Sequence, residues 1–359
     1  IFESINKTSM DSMSELRKAF QLLYNRLGRV PYLKDFKEQE MLDPVLLANK
    51  KKSYYDFLLS MGETEGLVTE EEQRYLMIAS RELLSGMRKH ELVLLKRLID
   101  DQKNNVKKAV STEELGQWYE KLGLISDNKT IQSVLNSLDL RFFTGMTRKT
   151  YGDNPFISIK KNEIKLSKGM KAALNNDYFK KLCLDIIETG LLNATGYLPE
   201  ASITLYEKYK RKDVLRLLNW EEQLVDQNIG GYTAKNGEFV IFVTLEKGED
   251  FAGSQMAYED ELLDSTTMKW FTKAPRTLKS PEVEKLKNPK DWIFRLFVKK
   301  SDDEGSDFYY LGEVTPVQET INELKKATKE GKKKNVVEML LKLDDPIENS
   351  LFRYLTLKE

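Results

Sequence analysis

Histidine and cysteine are nearly absent from this chain, which has one of each among its 359 residues. The single cysteine, Cys183, excludes an intrachain disulfide and agrees with a reducing, cytoplasmic location. The single histidine, His90, excludes metal sites built from paired histidines and the HxK motif of one class of phosphodiesterases. Cys183 lies on an apolar helix face, which predicts a small core residue. His90 follows Arg88-Lys89, and we predict that it lies exposed on a charged helix face.

Other absences exclude whole classes of function. No apolar run approaches the roughly 20 residues that cross a membrane, and no signal peptide opens the chain. The sequence has no GxxxxGK(S/T) motif, which excludes a P-loop nucleotide site. We find no complete set of nucleophile, base or metal ligands, so we expect a chain that is not itself an enzyme and needs no cofactor. Because the chain begins with Ile1 rather than methionine, we expect a processed or engineered fragment of a longer protein.

Charge is abundant but balanced. The chain has 57 basic and 57 acidic side chains, so a surface that binds nucleic acid must be local rather than global. The acidic run 302–304 borders Gly305 in a hairpin loop. We interpret this run as a solvated turn rather than a metal site.

Periodic apolar residues divide the chain into three parts, which together predict an α+β multidomain protein. Residues 1–110 are predicted to form a helical coupler or scaffold, with helices that stop at Gly28 and Gly62. Residues 111–200 are predicted to be winged-helix-like, and residues 201–359 to be β-rich. Strand patterns in the last part lie at 292–298, 308–312 and 336–343.

The middle part has the element order of a winged helix, which is helix, turn, helix and β-hairpin. Ser111 opens a helix-start signature, and a second helix begins after Asp127. In such a fold the second helix can enter a major groove with its polar face toward the bases. The polar residues of that helix are Asn128, Lys129, Gln132, Ser133 and Asn136. A module used only for packing or protein contact is equally compatible with this sequence.

The stretch 209–245 organises the C-terminal part. A short basic helix with one apolar face precedes Gly230-Gly231, a glycine pair at which the backbone can turn sharply or approach a ligand. Tyr232 follows directly, and we predict that the turn presents its ring rather than packing it away. Residues 239–244 are apolar on both faces, which predicts a strand buried on both sides.

Several segments carry a resemblance to a known family. DVLRLLNW, NIGGY, YEDELL, KWFTKAPRTLKSPE and LFVKKSDDEGSDFYYLGEV lie between residues 212 and 314. They resemble the C-terminal domain of SauUSI-like ATP-dependent type IV restriction endonucleases, which join a phospholipase D-type nuclease to a superfamily 2 helicase. LGRVP and KSYYDFL, within residues 27–58, are similar to the region that precedes this domain. The resemblance implies a parent protein that uses ATP and Mg²⁺ and acts on DNA containing 5-methylcytosine or 5-hydroxymethylcytosine.

The C-terminal part also resembles the SRA domain, which flips a modified cytosine out of duplex DNA into a pocket. This resemblance implies that Tyr232 stacks on the flipped base, with Tyr258 or Trp270 on its other face. The family's base-reading aspartate has Lys235 at its position here, so our candidate for that role is Asp260. The expected base pocket comprises Tyr232, Asp260, Tyr258, Trp270 and Asn228, and the expected contacts to the DNA backbone are Lys212, Lys269, Lys273, Arg276 and Lys279. We expect Trp220 and Trp292, which lie in apolar strings, to be core residues.

Two hypotheses of different kinds follow. The first is a target-recognition module that binds double-stranded DNA with a modified cytosine and couples binding to the helicase and nuclease domains of the same parent chain. The second is a protein-interaction or oligomerisation region without modified-base specificity. Salt dependence separates them, because counterion release weakens DNA binding steeply with added salt.

Overall fold

The computed structural model describes residues 13–50, 52–63, 66–104, 109–246, 260–327 and 332–357. Two compact units are present. The N-terminal unit reaches Ser202 and also contains Asn219–Gln223, whereas the C-terminal unit comprises Ile203–Leu218 and the residues from Leu224 onward. The first unit therefore contains both the helical part and the winged-helix-like part of the sequence interpretation. Within the described ranges, no helix is long and apolar enough to cross a membrane.

Helices form the first half of the N-terminal unit, and two of them end at the glycines where the sequence predicts. They are α1 (Met13–Leu27), α2 (Leu33–Glu38), α3 (Pro44–Lys50), α4 (Tyr54–Met61), α5 (Glu70–Glu82) and α6 (Lys89–Lys103). Gly28 and Gly62 follow α1 and α4 with positive φ angles of 67° and 76°, a backbone conformation that glycine adopts without steric cost. Thr69 begins α5 with a capping box, because its hydroxyl accepts from the Glu72 amide while the Glu72 carboxylate accepts from the Thr69 amide.

The second half of this unit contains a small antiparallel sheet beside further helices. Its elements are β1 (Val110–Ser111), α7 (Thr112–Lys121), α8 (Asn128–Leu138), α9 (Gly145–Tyr151), β2 (Ile157–Lys160), β3 (Glu163–Leu166), α10 (Lys168–Ala173) and α11 (Asp177–Asn193). The strand order is β1-β3-β2. Ser111 caps α7 by accepting from the Glu114 amide, and Asp127 caps α8. The expected helices and hairpin of this part are therefore present.

His90 is a core residue, which corrects the prediction of a surface position. Its side chain is 3% exposed, its Nε2 lies 2.8 Å from the Ile125 carbonyl, and its ring packs edge-on against Tyr119. Because a carbonyl only accepts, Nε2 carries the proton. The buried Nδ1 makes no hydrogen bond to the described residues. Burial first, and Arg88 second, lower the pKa of His90.

This burial predicts a pH dependence of stability. The folded-state pKa of His90 lies below its ordinary 6.5, so below that pH the unfolded chain binds a proton that the folded chain refuses. We expect His90 to lower the free energy of unfolding as pH drops from about 7.5 to about 5.5, so that over this range His90→Gln loses less stability, or gains more, than wild type.

The measurement is urea unfolding of both proteins at the two pH values, and the difference between them isolates His90. The comparison is needed because burial raises the pKa of Asp185 to about 7. Protonation of Asp185 stabilises the fold toward lower pH, with the opposite sign. If the free energy of unfolding changes with pH by the same amount in wild type and variant, His90 is not the group responsible.

The C-terminal unit is built on one mixed sheet. Its elements are β4 (Lys208–Tyr209), α12 (Arg211–Leu217), α13 (Asp226–Ile229), β5 (Tyr232–Lys235), β6 (Glu238–Glu246), β7 (Glu261–Asp264), β8 (Thr267–Phe271), α14 (Pro281–Lys287), β9 (Ile293–Ser301), β10 (Phe308–Pro316), β11 (Asn322–Ala327), β12 (Lys333–Leu343) and α15 (Asn349–Thr356). The order is β5-β6-β9-β10-β12-β8-β7, with β11 paired to β12 and β4 to β10. The pair β6 and β9 is parallel. The strands expected at 292–298, 308–312 and 336–343 are confirmed.

Strand β6 is central to the core of this unit. Residues 239–243 are all buried, as a strand covered on both faces requires. Phe239, Ile241 and Val243 join one hydrophobic cluster with Trp270, while Phe242 stacks on Phe297 on the other face. The core therefore fixes the edge of the sheet from which β5 and its preceding turn emerge.

Candidate nucleic-acid interface

The glycine pair predicted to turn the chain does so between α13 and β5. Gly230 has φ 57° and ψ −127°, a combination open to glycine alone among common residues. The Gly231 carbonyl accepts from the Phe242 amide at 2.7 Å, which anchors the turn to β6. The turn thereby brings α13 and β5 against the segment that follows β8.

A cleft with a volume of about 580 Å³ lies at this turn. One wall comes from the turn and β5, and the other comes from the loop 273–280 and the start of α14. The lining residues are Asn228, Tyr232, Thr233, Ala234, Lys273, Arg276, Ser280, Pro281, Glu282 and Lys285. The structure thus brings together Asn228, Tyr232, Lys273 and Arg276, four of the residues expected at a base pocket or DNA backbone.

Tyr232 is packed rather than presented, which corrects the prediction made from its turn. Its side chain is 2% exposed. The ring stacks on Phe239 with centroids 5.4 Å apart, meets Trp270 edge-on at 5.4 Å, and has the Lys273 ammonium 4.5 Å from its centroid. Neither face is open to a base in this conformation. Side chains along β5 alternate between its two faces, and Tyr232, the first residue of β5, points into the core formed by β6 and β8.

The Tyr232 hydroxyl is the polar end of this packed ring. It lies near Arg276 and Glu282, and it makes no well-formed hydrogen bond to the described residues. Burial raises the pKa of Tyr232 to about 12, against the lowering effect of Arg276. A buried hydroxyl without a partner is costly, so this atom is suited to receive a water or a ligand group.

Basic side chains line the opposite wall. Lys273 Nζ donates to the Ile229 carbonyl at 2.7 Å and so ties the loop to the end of α13. Arg276 Nη2 donates to the Glu282 carboxylate at 3.0 Å, while its buried Nε makes no hydrogen bond to the described residues. Burial lowers the pKa of Lys273, and the nearby Arg276 adds to that effect. Of the described residues that line the cleft, three are basic and one is acidic, which favours an anionic ligand.

Other residues expected at the site lie elsewhere. Trp270 is buried behind Tyr232 and does not line the cleft. The Asp260 carboxylate accepts from the Phe271 amide at 3.0 Å, at the paired strands β7 and β8. Tyr258 lies outside the described residues. Lys269 pairs with Glu338 at 3.4 Å. Lys279 is exposed and Lys212 half-buried, and neither lines the cleft.

Residues that the sequence interpretation missed include Glu282 and Lys285, which both lie on α14. A short helix with alternating charges is typical of a solvated surface, so its charge pattern gave no signal. The useful signal was Ser280-Pro281, which is a helix start with proline at its first position. It places the next side chains beside the loop that carries Arg276.

In the N-terminal unit, α8 has the polar face that a groove-binding helix needs. Asn128, Lys129 and Gln132 are exposed and Asn136 is partly exposed, and the Gln132 amide donates to Asn136 at 2.8 Å. Ser133 differs from the expectation. It is 4% exposed and accepts from Arg88 at 3.0 Å, so it faces the core.

Two family models match this chain, and the boundary between their matches lies close to the boundary between the two compact units. The family model described as domain of unknown function DUF3427 matches residues 203–355, and the model described as domain of unknown function DUF8090 matches residues 16–198. No curated protein matches the chain.

Two solved structures of ScoMcrA are similar at low TM-scores. The sulfur-binding and SRA domains of ScoMcrA complexed with phosphorothioated DNA give a TM-score of 0.25 at 10% identity, covering 74% of this chain and 89% of that chain. The type IV phosphorothioation-dependent restriction endonuclease ScoMcrA gives 0.26 at 12% identity, covering 85% of this chain and 61% of that chain. Because the DUF8090 model spans half of the sequence, the chain belongs to the family described as domain of unknown function DUF8090.

Proposed function

We propose that this chain is a DNA target-recognition module whose C-terminal cleft receives a modified cytosine flipped out of duplex DNA. The observation that carries the proposal is the cleft itself. Its lining, as far as the chain is described, has three basic side chains and one carboxylate, in a chain whose net charge is zero. Such a local excess of positive charge is what phosphate binding requires.

The size of the cleft agrees with a nucleotide as its occupant. Its volume of about 580 Å³ falls within the roughly 300–1,000 Å³ typical of small-ligand sites. A duplex nucleotide reaches such a site only by leaving the base stack, which costs a few kcal/mol. The contacts made in the cleft must offset that cost.

The lining residues divide into two roles. Arg276 and Lys285 would hold phosphates and set the position of the DNA without reading its sequence. Glu282, the carboxylate of the cleft, would accept from the exocyclic amine of cytosine, in place of the role first given to Asp260. Asn228 is exposed at the cleft and offers both donors and an acceptor to the base edge.

The N-terminal unit would extend this recognition. The order β1-α7-α8-α9-β2-β3, with strands arranged β1-β3-β2, supports a winged helix whose α8 enters a major groove. The resemblance to restriction endonucleases supports a coupling role toward helicase and nuclease domains of a longer parent chain, where ATP and Mg²⁺ would be used. In that parent this chain would supply specificity rather than catalysis.

The test is a titration of the chain against three duplexes that differ at one central cytosine, which is unmodified, 5-methylated or 5-hydroxymethylated. We expect a modified duplex to bind at least severalfold more tightly than the unmodified one. Arg276→Gln with Lys285→Gln should weaken all three duplexes about tenfold or more, because phosphate contacts carry no sequence information. Glu282→Gln should mainly reduce the difference between duplexes.

Lys287→Gln is the matched control for the lysine change, because Lys287 lies on the same helix, is exposed and pairs with Glu284 at 2.9 Å outside the cleft. It should bind all three duplexes as wild type does. Equal binding of the three duplexes by wild type would leave a nonspecific DNA-binding protein. Absence of DNA binding at moderate salt would favour the protein-interaction hypothesis.

A further inference from the structure

A second concentration of positive charge lies on the ribbon formed by β11 and β12. Residues 325–334 contain six lysines and one glutamate, the densest basic segment of a chain with no net charge. Five of these lysines lie among the described residues, in the two strands or directly before β12, and they are Lys325, Lys326, Lys332, Lys333 and Lys334. Lys325, Lys332 and Lys333 are exposed, and the other two are half-buried.

The pairing of the two strands places like charges against each other. Lys326 lies directly opposite Lys334, with Ala327 opposite Lys333. Like charges across a strand pair are destabilising. The nearest acid of β11, Glu323, accepts from the Leu278 amide and the Asn335 side chain, so it is held at the base of the ribbon. Phosphates of a bound duplex would place negative charge beside these lysines.

The ribbon is joined to the wall of the cleft. The Arg276 amide donates to the Asn335 carbonyl at 2.9 Å, and the Leu278 amide donates to Glu323 at 3.0 Å. The Thr272 amide also donates to the Val337 carbonyl. The loop that carries Lys273 and Arg276 is therefore fixed along β12, and the lysines continue its positive charge.

Lysines on an exposed strand also discourage edge-to-edge aggregation. In the described residues both strands of the ribbon have such an edge, because β12 pairs with β8 and β10 through residues 338–343, away from Lys333 and Lys334. A two-stranded ribbon charged on both strands also has the dimensions and charge that suit a DNA groove and its phosphates.

We propose that this ribbon is a second DNA contact, which binds phosphates of the duplex beside the nucleotide held in the cleft. The inference rests on the proposed function, because it assigns the same DNA to both surfaces. It assigns affinity to the ribbon and specificity to the cleft.

The test compares wild type with the triple variant Lys325→Gln, Lys332→Gln, Lys333→Gln, using the full chain and duplexes with and without a central 5-methylcytosine over a range of salt. We expect the variant to bind both duplexes at least tenfold more weakly at about 0.1 M salt, and the slope of log K against log salt to shrink by about 2. The ratio between the two duplexes should stay as in wild type.

A charge-matched control is Lys18→Gln, Lys37→Gln, Lys181→Gln, which removes three exposed lysines of the N-terminal unit. It should leave the salt slope within about 0.5 of wild type, whereas an equal loss of slope in this control would mean that net charge alone acts. If wild type binds DNA and the ribbon variant keeps its slope, the ribbon proposal is wrong and the cleft proposal stands. If wild type binds neither duplex, both proposals are wrong.

Discussion

Replacing Glu91 with alanine is expected to lower the free energy of unfolding of the N-terminal unit by about 3–5 kcal/mol. Glu91 receives hydrogen bonds from Arg88 Nε at 2.9 and 3.0 Å, and the two side chains are 2% and 6% exposed. Arg88 also donates to Ser133 at 3.0 Å. Without the carboxylate, the guanidinium stays buried between α6 and α8 and loses the opposite charge of Glu91.

The control is Glu188→Ala in the same unit. Glu188 pairs with Lys34 at 3.0 Å, but both side chains are about a third exposed, so its loss should cost about 1 kcal/mol or less. The double change Arg88→Met with Glu91→Leu removes both charges and should recover most of the loss. Urea unfolding followed by far-UV circular dichroism measures all four proteins. A Glu91→Ala cost as small as that of Glu188→Ala would show that the pair is not buried in solution.

Local signals in the sequence predicted much of the fold because local chemistry decides element ends. Glycines ended α1 and α4, Ser111 and Asp127 began α7 and α8, and runs of apolar residues marked β6, β9, β10 and β12. His90 shows the limit of this reasoning. Its neighbours Lys89 and Glu91 suggested a solvated face, but Glu91 is itself buried by its pairing with Arg88, and a tertiary partner is invisible in a local pattern.

Sequence reasoning found only part of the candidate site, because the rest depends on tertiary packing. Asn228, Tyr232, Lys273 and Arg276 were expected from sequence, and the structure gathers them in one cleft. The alternating charges of α14 gave no reason to single out Glu282 and Lys285, and the packing of the loop 273–280 brings that helix to the cleft. Asp260 was proposed for the base-reading role without knowledge of strand pairing, which directs its carboxylate to the Phe271 amide.

Substitutions of Tyr232 test whether this side chain serves packing, ligand binding or both. Tyr232→Ala is expected to lower the free energy of unfolding by about 3–5 kcal/mol, because it leaves a cavity among Phe239, Trp270 and Lys273. A loss of DNA binding in this variant would therefore not by itself identify a ligand contact. Urea unfolding of the variant gives the packing contribution alone.

Tyr232→Phe separates the two roles, because it keeps the ring and removes only the hydroxyl, which lies beside Arg276 and makes no well-formed hydrogen bond to the described residues. Stability should be unchanged or rise by up to about 1 kcal/mol, whereas affinity for a modified duplex should fall about fivefold if the hydroxyl meets the bound nucleotide. Tyr209→Phe is the matched control. Its hydroxyl accepts from the Thr204 amide at 2.8 Å away from the cleft, so stability should fall by about 1 kcal/mol with DNA affinity unchanged. Unchanged affinity in Tyr232→Phe would assign Tyr232 to packing and leave Arg276, Glu282 and Asn228 as the groups that meet the DNA.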